Sequence, residues 1–248
     1  MSKWLRLDRA LVMQGLVTTR SQAESYIRLG HVRVNGKVIT NPGMPISDEG
    51  RITLTDSEQY VSRAGLKLSS VAEAFAVDFR GKVVLDVGSS TGGFTDYALQ
   101  HGAQKVIAID AGTHQLHSSL RGNPAILLHE KTDIRGFRPT VTPDIVLIDV
   151  SFISLREILP HIAGIAGPKT RIIAMVKPQF EAASRDLSDG VIKNDRIRRD
   201  ILKLFESWVT QRFVVEAKAD SGVAGAKGNA ERFYLLKVLS SRMQQRVK

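Results

Sequence analysis

The stretch KVVLDVGSSTGGF, residues 82–94, decides the fold of the larger part of the chain. A short apolar run ends at Asp86 and leads into a glycine-rich loop, which is typical of a buried strand followed by a tight turn. Runs that are apolar on both faces, separated by segments of helical length, predict an α/β fold with a mostly parallel sheet covered by helices. Similar runs recur at residues 105–110, 125–128, 144–149, 171–176, 212–215 and 233–236.

Polar residues at the ends of these predicted strands form a candidate site. Asp86, Asp110, Asp149 and Lys177 each close or directly follow an apolar run. In a parallel sheet the carboxyl ends of the strands meet at one edge, and ligands bind there. A single Asp in such a position is usually only a loop cap, so the four residues together carry the prediction.

The glycine-rich loop has the form D-x-G-x-x-x-G-G, which is neither the dinucleotide pattern nor a phosphate loop. It resembles motif one of S-adenosylmethionine (SAM) methyltransferases, which implies SAM as the cofactor. We expect the Asp86 carboxylate to bind the ammonium group of SAM and Asp110 to accept hydrogen bonds from its two ribose hydroxyls. The alternative is a tight turn with structural glycines. The resemblance assigns the other contacts of the loop to Gly88, Ser89, Ser90, Gly92, Gly93 and Phe94.

The first residues of the chain have the pattern of a small separate module. Apolar residues at helical spacing across 4–17 predict a first helix. Ser21 is a candidate N-cap for a second helix, with Glu24 completing a capping box and Gly30 ending the helix. Asn35-Gly36 within an alternating run predicts a β-hairpin.

Charge and composition limit the class of protein. The 248 residues carry a formal net charge of +10, with 43% hydrophobic residues and no cysteine. These values exclude a largely disordered chain, a disulfide framework and a cysteine nucleophile, and no apolar run approaches the ~20 residues of a membrane-spanning helix. The first forty residues carry +5, which favours a nucleic acid over an anionic membrane as partner. A solvated helix pair without a partner is the alternative.

Three segments of the module carry a resemblance to a known family. Residues 5–8 (LRLD), 19–23 (TRSQA) and 27–37 (IRLGHVRVNGK) closely resemble the alpha-L, S-four-type RNA-binding domain. An Arg-Leu-Asp triplet also surrounds the catalytic Asp of some pseudouridine synthases, but inside this first helix Asp8 is expected to form a cap or a salt bridge. The resemblance implies RNA contacts by Arg6, Arg20, Ser21, Arg28, His31, Arg33, Asn35 and Lys37.

Segments dispersed over the rest of the chain extend the resemblance to its whole length. Residues 62–68, 148–155, 176–181 and 221–231, together with the module, resemble the TlyA (hemolysin A) family of ribosomal RNA ribose methyltransferases, which are related to the FtsJ-like enzymes. This implies a small α+β RNA-binding domain over 1–57, a linker over 58–61 and a Rossmann-like SAM-dependent methyltransferase domain over 62–248. It also implies a catalytic tetrad of Lys67, Asp149, Lys177 and Glu231.

The chemistry of ribose methylation suits these residue types. A ribose 2′-hydroxyl must lose its proton as it attacks, and a lysine can accept that proton if burial or a neighbouring cation lowers its pKa. The resemblance suggests Lys177 as the base, although the sequence alone does not separate it from Lys67. The chain departs from the family at Ala64, where Gly is common, and at Gly222-Val223, where related enzymes often have Pro-Ile.

Other readings remain open at this stage. The chain is expected to act in the cytoplasm on ribosomal RNA or ribosomal subunits, without a metal or a membrane. His114 and His117 have the spacing of a metal pair but no third ligand nearby. Arg196, Arg198 and Arg199 fit either an RNA contact or a solvated helix face. A non-catalytic RNA-binding assembly factor with a vestigial SAM pocket and a membrane-active hemolysin are the two rival functions.

Overall fold

The structure of the protein is a computed structural model. It describes residues 4–17, 20–28, 30–47, 50–54, 60–183, 187, 189–225 and 228–239, apart from the side chains of Ser21, Gln22 and Ser25.

The N-terminal module is the small α+β unit that the sequence predicts. Strands β1 and β4 form one antiparallel pair, and β2 lies between β3 and β5 in a second antiparallel sheet. The predicted hairpin is confirmed, because Asn35 and Gly36 join β2 to β3 with φ values of 50° and 80°. The elements of the module are β1 (Trp4–Arg6), α1 (Leu7–Met13), α2 (Arg20–Arg28), β2 (Val32–Val34), β3 (Lys37–Val38), β4 (Pro45–Ser47) and β5 (Ile52–Leu54).

Two local predictions for this module are wrong. The first helix does not begin at residue 4, because Trp4–Arg6 pairs with β4, and Leu5 faces Ile46 across that pair. The helix starts only at Leu7, where the buried stripe begins. Ser21 is not the N-cap, since α2 already includes Arg20. The end of α2 agrees with the prediction, because Gly30 has a φ of 78° and the His31 amide donates to the Tyr26 carbonyl.

The larger part of the chain forms a seven-stranded sheet of the predicted mostly parallel kind. Its strand order is β11-β12-β10-β9-β6-β7-β8. Strand β12 runs in the direction opposite to that of the other six strands. The order reverses at β6, which lies between β7 and β9, so the carboxyl end of β6 is a topological switch point. The elements are α3 (Arg63–Phe75), β6 (Val83–Val87), α4 (Gly93–Gln100), β7 (Lys105–Ile109), β8 (Ile126–His129), a 3-10 turn (Ile134–Gly136), β9 (Ile145–Ile148), α5 (Leu155–Ile165), β10 (Arg171–Val176), α6 (Pro178–Glu181), α7 (Asp195–Val209), β11 (Phe213–Asp220) and β12 (Arg232–Val238).

Helices cover both faces of the central strands, which explains why β6, β7, β9 and β10 are almost wholly buried, whereas the edge strand β11 alternates between exposed and less exposed residues. Alternate strand residues such as Val84 pack into one core cluster with α3 and α4, including Phe75. Their neighbours, such as Leu85, pack into a second cluster with α5 and α7, including Phe205. Full burial of side chains of this size stabilises the fold by about 1.5–3 kcal/mol each.

The predicted linker, residues 58–61, is described from Tyr60 onward. Tyr60 is buried and packs against the ring of Tyr97, with 5.4 Å between ring centroids. The Val61 amide donates to Asp96 Oδ2 at 2.7 Å. These contacts fix the start of the larger domain against α4. In the part of the chain that the structure describes, no helix is long and apolar enough to cross a membrane.

Candidate active site

The four polar strand ends lie at one edge of the sheet, as predicted. Asp86 is the fourth residue of β6, while Asp110, Asp149 and Lys177 directly follow β7, β9 and β10. These strands are parallel neighbours around the switch point, so their carboxyl ends converge.

The glycine-rich loop approaches the neighbouring strand end too closely for a side chain. Gly88 has a φ of 80°, and a Cβ there would collide with the carbonyl oxygen of Asp149. Gly92 has a φ of 91° at the start of α4, where a Cβ would meet Leu116 and Leu120. Gly93 lies equally close to Ser62 and Ala64 on the chain entering α3. Glycine is required at these positions by the backbone conformation or by the close approach of neighbouring atoms. Glycine therefore lets the loop of residues 88–93 pack closely against its neighbours.

Asp86 lies beneath this loop with no exposed surface. Its Oδ2 accepts a hydrogen bond from Thr95 Oγ1 at 2.6 Å, whereas its Oδ1 has no hydrogen-bond partner among the described residues. Burial raises the pKa of Asp86 to about 7, and the nearby charges of Asp149 and Asp110 add to the increase. A positive ligand group near Oδ1 would relieve this penalty, but direct contact between Asp86 and an ammonium group stays a prediction.

Asp110 differs from Asp86 because both of its carboxylate oxygens accept hydrogen bonds from backbone amides. Ser90 N donates to its Oδ2 at 2.8 Å, and Gly112 N donates to its Oδ1 at 2.6 Å. The side chain remains partly exposed and borders a cavity of about 520 Å³. A carboxylate oxygen can accept more than one hydrogen bond, so Asp110 keeps acceptor capacity toward that cavity.

The large cavity has the size of a cofactor site and involves residues that the sequence analysis missed. Its volume falls in the range of ligand pockets that bury most of a small molecule. Asp133 and Ile134 form one wall, at the 3-10 turn after β8, where the Asp133 carboxylate accepts from the Arg135 amide. The signal in the sequence was weak, because a lone Thr-Asp after a strand is a common turn. The other walls are formed by Val87, Gly88, Ser90, Ile109, Asp110, Ala111, Gln115, Thr132, Arg135, Asp149, Val150, Ser151, Phe152, Ile153 and Ile158.

A smaller cavity of about 190 Å³ adjoins the large one. Gly88, Ser90, Asp149 and Ser151 line both, so the two spaces share a boundary. Five further residues border the small cavity and not the large one, namely Ala64, Ser89, Thr91, Phe94 and Lys177. A ligand in the large cavity can therefore present one end to Lys177.

The four tetrad residues form two ion pairs. Lys177 Nζ lies 2.7 Å from Asp149 Oδ1, and Lys67 Nζ lies 2.6 Å from Glu231 Oε2. Val176 pairs with Arg232 across β10 and β12, so Lys177 and Glu231 are the next residues on adjacent strands. The structure thus brings the predicted set together, with one pair at the cavity and the other buried behind it.

The loop before β12, which carries Glu231, is held by groups that the sequence left ambiguous. Arg198 Nε donates to the Ala230 carbonyl at 3.0 Å, and its terminal nitrogen donates to Asp220 at 2.6 Å. Buried Asn229 joins the same loop to Gly190 and Ile192. Arg198 is therefore a support of the Glu231 loop, whereas Arg196 and Arg199 are exposed on α7.

Two further residues at the site were not predicted. Ser151 Oγ accepts a hydrogen bond from Lys177 Nζ at 2.8 Å. Phe152 has a φ of 66° and is 92% exposed, with its ring 5.2 Å from that of Phe180. Lys177 Nζ lies 6.0 Å from the Phe180 ring centroid. An exposed aromatic ring in a strained backbone conformation beside a candidate base is a feature of functional sites.

The predicted RNA-binding residues fall into two groups on the module. Arg6 and Arg20 both bind the fully buried Asp8 at 2.9 Å and keep about half of each side chain exposed. Burial opposes ionisation of Asp8, but hydrogen bonds from both arginines hold its pKa below the ordinary value. The expected salt bridge of Asp8 is confirmed. On and near the hairpin, Arg28, Arg33, Asn35 and Lys37 are exposed and His31 is half-buried, whereas the Ser21 side chain lies outside the described residues.

The two histidines at metal-pair spacing have other partners in the structure. His117 Nδ1 lies 2.8 Å from Ser119 Oγ, and the His114 amide donates to Glu130 at 2.6 Å. Within the described ranges, no group of three or more metal-ligating side chains was found.

Comparisons with known proteins agree with this arrangement. Residues 60–238 match the model of the FtsJ-like methyltransferases, and residues 5–52 match the S4 domain. The chain is 38% identical to the 16S/23S rRNA (cytidine-2′-O)-methyltransferase TlyA of Mycobacterium tuberculosis, covering 98% of this chain and 93% of that protein. It is 36% identical to Hemolysin A of Brachyspira hyodysenteriae, covering 92% and 97%. A solved structure named as a hemolysin, from Streptococcus thermophilus, has 35% identity and a TM-score of 0.71, covering 97% of this chain and 90% of that one.

Proposed function

Because the chain belongs to the FtsJ-like methyltransferase family and carries an S4 domain, we propose that it methylates a ribose 2′-hydroxyl of ribosomal RNA with SAM as the methyl donor. We propose cytidine as the target, since curated relatives carry that activity in their names. The proposed division is an RNA-binding domain over 1–57, a linker over 58–61 and a catalytic domain over 62–248. The proposed site of action is the cytoplasm, on ribosomal RNA or ribosomal subunits.

One observation carries the proposal. The Lys177–Asp149 ion pair borders a small cavity that shares four lining residues with a cavity large enough for a cofactor. A methyl donor in the large cavity and a ribose in the small one would therefore meet beside Lys177. A vestigial pocket has no need for a paired lysine at this position.

The residues present fit SAM. The loop from Gly88 to Gly93 offers close backbone approach, and Asp110 retains acceptor capacity for a ribose diol. The unpartnered Oδ1 of Asp86 and the raised pKa of its carboxyl suit a nearby ammonium group. Ser89 and Phe94 line the adjoining space, and the buried Ser89 hydroxyl has no hydrogen-bond partner in the described part of the chain. When bound, SAM supplies a methyl group already activated on a sulfonium sulfur.

The protein's own part in the reaction is positioning and proton transfer. The ribose hydroxyl gives its proton to Lys177 Nζ while its oxygen forms a bond to the methyl carbon. SAM held by the Gly88–Gly93 loop, Asp86 and Asp110 would supply that methyl group and would keep the electron pair of its carbon–sulfur bond as a neutral thioether. Asp149 then neutralises the Lys177 ammonium that has formed. Holding both reactants in line contributes most of the remaining acceleration.

The environments of the two lysines support Lys177 as the base. The two lysine side chains are almost equally buried, but Lys177 borders the small cavity, whereas Lys67 lines neither cavity and forms an ion pair with buried Glu231. A lysine that lines neither cavity is better suited to set the position and local charge of its neighbours. We therefore propose that Lys67 and Glu231 support the site from behind.

Two surfaces suit the RNA. Exposed Arg28, Arg33 and Lys37 of the module can contact phosphates, which fix position without reading sequence. At the catalytic end, the exposed Phe152 ring offers a stacking surface for a nucleotide turned out of its helix, which a buried ribose would require. A single RNA would then contact both domains.

Methyl transfer to unmodified ribosomal subunits by the wild type and Lys177→Ala tests the proposal. We expect the variant to lose ~10²- to 10⁴-fold in rate, the usual range for removal of a general base, and to bind SAM as the wild type does. Undiminished transfer by the variant would contradict the assignment. If the wild type binds RNA but shows neither SAM binding nor transfer, the rival assembly-factor function is favoured.

A further inference from the structure

Ser151 accepts a hydrogen bond from the candidate base, which also forms an ion pair with Asp149. Lys177 Nζ lies 2.7 Å from Asp149 Oδ1 and 2.8 Å from Ser151 Oγ. The strand register explains the contact, because Ile148 pairs with Ala174, and Ser151 and Lys177 each lie three residues beyond that pair. All three contacting residues line the small cavity. The hydroxyl therefore meets the amine at the place where the ribose is expected.

The geometry of an amine gives this contact a consequence. A neutral lysine amine has two N–H bonds and one lone pair at tetrahedral angles. Without an acceptor the amine turns about the Cε–Nζ bond, so its lone pair has no fixed direction. The hydrogen bond to Ser151 fixes that rotation, and the Asp149 carboxylate, 2.7 Å from Nζ, repels the lone pair, which leaves the lone pair one direction away from the carboxylate.

We propose that Ser151 is a positioning residue that fixes the rotation of the Lys177 amine, so that its lone pair meets the ribose 2′-hydroxyl. This proposal rests on the proposed function. Ser151 accepts from Nζ and keeps its own proton, so it takes no part in the bond changes. As the ribose O–H bond breaks, the transferred proton becomes the third N–H of Lys177, and the hydrogen bond to Ser151 stays in place.

The chain offers a matched pair of variants for a test. Ser151→Thr keeps the hydroxyl, and Ser151→Val has nearly the same shape without it. Ser151 is exposed at the mouth of the site, so neither change removes buried packing. Thermal unfolding of both variants checks that they are equally folded, and Ser151→Ala shows the effect of losing the hydroxyl without added bulk.

Steady-state methyl transfer to unmodified ribosomal subunits gives the readout, with separate kcat values and KM values for SAM and for subunits. We expect Ser151→Val and Ser151→Ala to lose about 10- to 100-fold in kcat, as for loss of a hydrogen bond to a charged group, with KM for SAM within about two-fold. Ser151→Thr should retain kcat within a few-fold.

Equal kcat values for the Thr and Val variants would overturn the role of Ser151, as would a loss confined to KM. The Lys177→Ala variant separates this failure from failure of the proposed function. If Lys177→Ala is inactive while Ser151→Val is normal, only the role of Ser151 is wrong. If Lys177→Ala transfers methyl groups normally, the proposed function itself is wrong.

Discussion

The front and the back of the candidate site use the same residue types for different purposes. At the front, Lys177 and Asp149 border the cavities and have Ser151 and exposed Phe152 beside them. At the back, Lys67 and Glu231 form an ion pair of similar length, but neither residue lines either cavity. The residue types of a lysine–carboxylate pair therefore do not by themselves make the pair catalytic. Its access to a cavity decides whether it can exchange a proton with a substrate.

The largest expected difference between the two pairs is in stability. Lys67→Met leaves Glu231 buried without its partner, which should lower the free energy of unfolding by about 3–5 kcal/mol in urea titrations. The double variant Lys67→Met/Glu231→Leu should recover much of that loss, because an apolar pair has no desolvation cost. If Lys67→Met unfolds like the wild type, the back pair does not support the fold as we describe.

Asp86 is buried, as the back pair is, and its raised pKa predicts that stability depends on pH. Its pKa of about 7 in the folded protein lies above the ordinary value of 3.8, so between these pH values the folded state holds a proton that the unfolded state lacks. Stability should therefore fall as pH rises from about 4 to 7 and level off above that. Asp86→Asn should remove this part of the slope and be more stable than the wild type at pH 8, by about 1–3 kcal/mol.

Denaturant titrations of the wild type and Asp86→Asn between pH 4 and 8 check this expectation. The difference between the two proteins isolates Asp86, because carboxyls such as Asp8 and Asp220, whose pKa values are lowered, are common to both. A difference that does not change with pH would mean that Asp86 is already ionised in the folded state.

Phe152 should give the smallest effect, confined to the RNA side of the front. Phe152→Ala should raise KM for ribosomal subunits about ten-fold, which matches the loss of one stacked base, and leave KM for SAM unchanged. Phe152→Trp, which keeps a ring, is the matched control and should behave nearly as the wild type. A loss of SAM affinity in Phe152→Ala instead would place the ring in the cofactor site.

The sequence predicts the buried strands and the strand-end residues better than the exposed residues around Lys177. Apolar runs identify the buried strands because burial on both faces leaves no room for polar residues. Asp110, Asp149 and Lys177 are predictable because strand ends converge. Ser151 and Phe152 are not, since the contact to Lys177 spans two strands and the positive φ of Phe152 has no glycine to signal it.

The errors in reading local patterns, in the module and on α7, have a similar cause. Residues 4–6 pair with β4 about forty positions later, and helical spacing read locally cannot reveal that partner. Arg198 looked like a surface charge because its partners, Asp220 and the Ala230 carbonyl, lie far along the chain. In each case a long-range contact overrides a local pattern.

The most direct test of the central claim is the chemical position of the transferred methyl group. Unmodified ribosomal subunits are incubated with the protein and SAM, and the RNA is digested to nucleosides and analysed by mass spectrometry. The account predicts a new nucleoside methylated on the ribose 2′-oxygen, with cytidine as its base. A methyl group on a base, or no new methylated nucleoside from folded protein, would contradict it.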